Sequence, residues 1–146
     1  MDEVIRLFND NGIHYVVIGG QAMRLDGMPR FSMDWDFLIP PRDTANIEKI
    51  NDLLREELDL PLLPLGEKGE NFVQTYQTRW GIIQFHLGCP GLPVYAEVEK
   101  ESVERQTEDG NRVRCLSEQH LLQSKLASNR PEDQADIRFL RKRLED

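Results

Sequence analysis

The chain has 146 residues, 39% of them hydrophobic and 30% charged, a balance that suits one soluble globular domain over residues 1–146. At this size about 68–70% of the unfolded surface is buried on folding, so a core needs no staples. A formal net charge of −8 argues against broad, salt-driven binding to DNA or RNA, two cysteines (Cys89 and Cys115) are too few for a disulfide framework and point to a reducing cytoplasm, and no apolar run approaches the roughly 20 residues that span a membrane.

Residues 2–11 read as an amphipathic helix, with Val4, Ile5, Leu7 and Phe8 toward one side and Asn11-Gly12 as its stop. Tyr15-Val16-Val17-Ile18 is a β-branched apolar run of strand type. Gly19-Gly20 follows at once, where the backbone turns sharply or lets something approach closely, and 21–25 gives a short helix. A second strand spans 33–39 and ends at Pro40-Pro41. Alternation along it puts Trp35, Phe37 and Ile39 on one face, Asp34 and Asp36 on the other. Asp43 or Thr44 caps a long helix over about 45–58, with Ile47, Ile50, Leu53, Leu54 and Leu58 inward. A Pro/Gly-containing loop covers 60–70, and strands follow over 71–79 and 82–87. Residues 88–93 form another loop. Asp109-Gly110 predicts a hairpin between 104–107 and 112–116. Two helices close the chain, the first capped by Ser117 with Leu116 and Leu121 as a staple, the second opened by Pro131.

Chemistry concentrates in three places. The free amides after the glycines suit a phosphate. Two carboxylates at i and i+2 on one strand face, Asp34 and Asp36, repel each other unless a cation sits between them. Two hard oxygen ligands suit Mg²⁺ (or Mn²⁺), which takes carboxylates together with substrate phosphates. Lys125 falls on the apolar stripe of its helix, four residues after Leu121, while Asp133 and Asp136 share a stripe with Ile137 and Leu140. One reading of Lys125 is a salt bridge between adjacent helices; the other is a flexible point charge for phosphates. The plainer readings of the first two features are an ordinary strand-to-helix turn and the solvated face of an edge strand.

Strand, Gly19-Gly20, about a dozen residues, then Asp34-Trp35-Asp36 before more apolar residues resembles the first motif of the nucleotidyltransferase fold of the DNA polymerase β superfamily. Arg30 and Ser32 match the Arg-x-Ser/Thr that often precedes the acid pair in small bacterial members. Lys125, Arg130, Asp133 and Asp136 match a late signature of the abortive-infection (AbiEii-like) branch, and the matching pieces together cover most of the chain. The resemblance implies a minimal nucleotidyltransferase fold of α/β (α+β) class, a small mixed sheet flanked by helices. It implies metal-dependent transfer of an NMP from an NTP to an acceptor hydroxyl. Asp34, Asp36 and Lys125 would be catalytic, Asp34 and Asp36 holding Mg²⁺ or Mn²⁺. Gly19, Gly20, Arg30, Ser32 and Lys125 would bind the nucleotide. A toxin–antitoxin setting, with a protein partner or an RNA acceptor, is one the resemblance implies.

One position departs from the pattern. Active members bring a third carboxylate from a central strand, and the strand in that place offers Gln84 and His86. Gln84 coordinates weakly and accepts no proton; His86 can accept one near neutral pH, or is an ordinary hydrogen-bonded strand histidine. Glu97 and Glu99 are candidates from another strand. His14 and His120 carry no visible chemistry. The alternative function is therefore a catalytically degenerate module of the same fold that binds nucleotide or protein, and a third reading is a structural domain with no ligand.

Overall fold

A strand as apolar as Val16–Ile18 (β1) has to be covered on both sides, and all three of its residues are buried. In the computed structural model, which describes residues 1–145, β1 is an inner strand of a six-stranded mixed sheet ordered β3-β4-β2-β1-β6-β5. The other strands are β2 (Trp35–Leu38), β3 (Val73–Thr78), β4 (Gly81–His86), β5 (Val103–Gln106) and β6 (Arg112–Cys115). Helices are α1 (Asp2–Asp10), α2 (Gly19–Leu25), α3 (Thr44–Leu53), α4 (Tyr95–Glu101), α5 (Glu118–Ser128) and α6 (Gln134–Glu145). Three antiparallel pairs, β3–β4, β1–β2 and β5–β6, are joined by two parallel ones, β2–β4 and β1–β6. Among the described residues no helix is long and apolar enough to cross a membrane.

The sheet separates core from cleft. Phe37 on β2 and Phe85 on β4 are direct partners in the parallel register and stack at 5.9 Å. Phe8 of α1 meets Phe37 edge-on at 5.4 Å, so α1 closes this aromatic face with Val4, Ile5 and Phe8 all buried. Such ring pairs add about 0.5–1.5 kcal/mol each beyond their burial. Alternation then sends Asp36, Gln84 and His86 to the opposite face.

Several sequence-derived boundaries move, each for a local reason. The second strand is expected over 33–39, yet its ladders to β1 and β4 run only from Trp35 to Leu38, leaving Asp34 in the loop just before it. The helix expected over 45–58 ends at Leu53. Glu56, Glu57 and Asp59 are unfavourable charges at a helix C-terminus, and the Asn51 side chain pairs with the backbone of Leu62, folding the following loop back. Its start is as expected, with the Asp43 carboxylate accepting from the Asn46 amide at 3.1 Å. Ser117 likewise accepts from the His120 amide at 3.1 Å, with Leu116 and Leu121 buried beside it. Pro131 opens a 3₁₀ turn, Pro131–Asp133, and α6 proper begins at Gln134. Helix α4 was not expected, and Glu97 and Glu99 lie on it rather than on a strand.

Candidate functional site

The last residue of β1, Ile18, is extended and the chain enters α2 directly, so the glycine pair is not a separate turn but the opening of the helix. Gly19 has φ +72°, a left-handed conformation that only glycine adopts cheaply. A Cβ on Gly19 would stand 2.8 Å from Asp36 Oδ2, and one on Gly20 would stand 2.5 Å from Ser32 Oγ. The pair therefore lets the start of α2 lie against Asp36 of β2 and against the loop that carries Arg30 and Ser32. That loop is tied down from below, Gln21 donating to the Ser32 carbonyl at 2.8 Å.

Asp36 stands at the centre of the polar face. Its Oδ1 meets His86 Nε2 at 2.8 Å, both side chains being mostly buried. Gln84 is the register partner of Asp36 on β4, so the strand facing the acid presents an amide and an imidazole and no carboxylate. Glu97 and Glu99 do not supply the missing acid. Glu99 pairs with His14 Nδ1 at 3.1 Å and lines a separate recess of about 310 Å³ that has no residue in common with the cleft.

On the other wall, buried acids knit three cations together. Asp136, 1% exposed, takes Arg30 Nη1 at 2.6 Å and Lys125 Nζ at 3.0 Å on the same oxygen. Asp133, equally buried, takes Lys125 Nζ at 3.5 Å and two hydrogen bonds from the Arg130 guanidinium at 3.1 Å. Burial pushes the Asp133 carboxyl up, but the hydrogen bonds from Arg130 and Ser128 outweigh it and hold the group well below the usual carboxylate range. Lys125 thus makes the salt bridge to the neighbouring helical segment that was one of the two readings of its stripe position, while still lining the cleft. The other expectation, a phosphate contact, needs Lys125 to face the cleft, and it does so together with Arg30 and Arg130.

The cleft so formed has a volume of about 790 Å³. It gathers Gly19, Gly20, Arg30, Ser32, Asp34 and Asp36 with Lys125 and with Gln84 and His86, the two residues expected to face the acids, and adds Arg130. Sequence reasoning gave Arg130 no role in the site, although its place in the Arg-x-x-Asp-x-x-Asp pattern was a usable signal. It also missed the apolar rim of Phe31, Met33, Phe72 and Val73, all exposed. Cys89 lines the cleft too, its thiol pushed up by burial and by Asp36 against the pull of Lys125. Among the described residues no three His, Cys, Asp or Glu side chains already converge on one ion position.

Neither a family model nor a curated protein matches the sequence. Solved structures do. A Thermotoga maritima protein, known from a crystal structure and provisionally described as a nucleotidyltransferase, superposes with a TM-score of 0.69 over 98% of this chain and 89% of its own, at 16% identity. The antibiotic-resistance factor ANT(2'')-Ia, known from a solution structure, superposes with a TM-score of 0.55 over 99% of this chain and 86% of its own, at 18% identity. At these identities the likeness is one of fold, and the fold is that of the nucleotidyltransferases.

Proposed function

We propose that the chain is a metal-dependent nucleotidyltransferase, moving an NMP from an NTP to an acceptor hydroxyl with release of pyrophosphate. The meeting in one cleft of the glycine-opened strand end, the Asp34/Asp36 pair and the cations Arg30, Lys125 and Arg130 carries this reading. The donor set fits a small hard cation: two carboxylates at the cleft wall, with Asp36 Oδ2 turned toward the Gly19 backbone and room beside it for phosphate oxygens and water. Asp34 and Asp36 would hold Mg²⁺ or Mn²⁺, which when bound neutralises charge developing on the phosphate oxygens. Gly19 and Gly20 leave the backbone bare where the phosphates lie, and Ser32 offers a hydroxyl beside them. Arg30 and Lys125 supply positive charge, and Asp136 keeps both heads at the cleft wall in the absence of substrate, so little ordering is left for binding to cost.

Isothermal titration with Mg-ATP and release of pyrophosphate from labelled NTPs test the reading. Wild type is expected to bind, and Asp34→Asn to lose turnover. No Mg-NTP binding at millimolar concentration would overturn it. The register pairing of Gln84 with Asp36 favours one second reading, a degenerate module that binds nucleotide or protein without transfer. That protein would bind Mg-ATP and release no pyrophosphate. Either version suits a cytoplasmic toxin–antitoxin pair with a protein partner or an RNA acceptor, tested by whether a co-transcribed small protein co-purifies.

A further inference from the structure

We infer that His86 is a metal ligand, and that Asp36 Oδ1 with His86 Nε2 forms a mixed oxygen–nitrogen donor pair selecting Mn²⁺ over Mg²⁺. The inference deepens the reading above, on which it rests for Asp36 as a metal ligand. Its starting point is a distance. Two ligands about 2.1 Å from one ion and at right angles to each other stand about 3.0 Å apart. Asp36 Oδ1 and His86 Nε2 share a hydrogen bond at 2.8 Å, so exchanging its proton for an ion requires the two atoms to separate by only about 0.2 Å. Both side chains are more than four-fifths buried, so neither has to be ordered from solvent.

The two oxygens of Asp36 have different surroundings. Oδ2 lies over the Gly19 backbone, at the phosphate end of the cleft. Oδ1 lies toward β4, where Gln84 stands in register with Asp36 and brings no charge. An ion on the β4 side therefore meets an imidazole where a carboxylate is otherwise expected. Imidazole suits first-row transition metals, least of all Mn²⁺, which shares the oxygen preference of Mg²⁺ but as a transition ion accepts a nitrogen donor more readily than Mg²⁺ does. An imidazole ligand brings no negative charge where a second carboxylate would, which further weakens Mg²⁺, whose attraction is mainly electrostatic. No third side chain already completes the site among the described residues, so water and phosphate oxygens would fill the remaining positions.

The test is made without nucleotide on the full chain. Mn²⁺ titration followed by electron paramagnetic resonance gives the affinity, and pulsed measurement of ¹⁴N coupling reports a bound imidazole. Wild type is expected to show ¹⁴N coupling and to bind Mn²⁺ at least about tenfold more tightly than Mg²⁺. His86→Gln should lose the coupling and about tenfold or more in Mn²⁺ affinity, with Mg²⁺ affinity unchanged. His86→Asp should lose the coupling and bind Mg²⁺ more tightly, which separates ligand loss from misfolding. Mn²⁺ bound without ¹⁴N coupling, no Mn²⁺ binding at all, or equal Mn²⁺ affinity in wild type and His86→Gln overturns the inference and leaves His86 as a hydrogen-bond partner of Asp36. The two readings fail separately. Mn²⁺ held by His86 with no nucleotide transfer keeps this inference and removes the transferase; Mg²⁺-driven transfer indifferent to His86→Gln does the reverse.

Discussion

Lys125→Met separates the two roles of the lysine. Taking one partner from a buried ion pair typically costs about 3–5 kcal/mol, because the other charge is stranded. Here neither acid is stranded. Asp136 keeps Arg30 at 2.6 Å, and Asp133 keeps the Arg130 guanidinium together with the Ser128 hydroxyl at 2.6 Å. Methionine also replaces the apolar stem. The expected loss of stability is therefore about 1–2 kcal/mol, or about 2–8 °C in Tm for a domain of this size. Nucleotide binding should suffer more. A hydrogen bond to a charged group contributes about 1.5–3 kcal/mol, so Mg-ATP affinity should fall by about 10- to 100-fold. Calorimetric melting and isothermal titration on the same preparation give both numbers. A Tm fall well beyond 8 °C with unchanged Mg-ATP affinity would refute the reasoning: Lys125 would then only bolt α5 to α6.

Gly19→Ala forces a left-handed residue and a clash with Asp36 Oδ2, and should cost about 1–3 kcal/mol in denaturant melts as well as nucleotide affinity; a neutral result would mean the glycine is not needed. Gln84→Asp should raise pyrophosphate release from labelled NTPs, since a proton acceptor typically contributes about 10²–10⁴-fold, and a harmful or neutral effect would show the role already filled. The depressed Asp133 carboxyl stabilises the fold above the ordinary aspartate value of 3.8, and that stability is lost as pH falls through its lower folded value. Urea melts between pH 2 and 6 should accordingly show a flatter acid limb for Asp133→Asn than for wild type, and equal slopes would argue against the depressed value.

What was legible in the sequence is what neighbours along the chain decide. The aromatic and acidic faces of β2 follow from a period of two, the caps Asp43 and Ser117 from side chains within three residues of the amides they accept, and Gly19-Gly20 from a backbone demand. Order and spacing of those pieces, with Asp34-Trp35-Asp36, were enough for the fold. Helix α4 escaped because seven residues burying only Val98 leave no apolar period to read. The end of the β2 ladder, which leaves Asp34 in a loop, depends on partners elsewhere in the chain. So do the contacts of Asp36 and Asp136 that give the cleft its chemistry. Arg30 and Lys125 share one oxygen of Asp136, although Arg30 and Asp136 are 106 positions apart. His86 reaches Asp36 across 50 positions only because β4 lies parallel to β2 in a register that pairs Gln84 with Asp36. A local pattern fixes which face a side chain takes; which group meets it there is set when distant segments pack, and only the folded sheet specifies that.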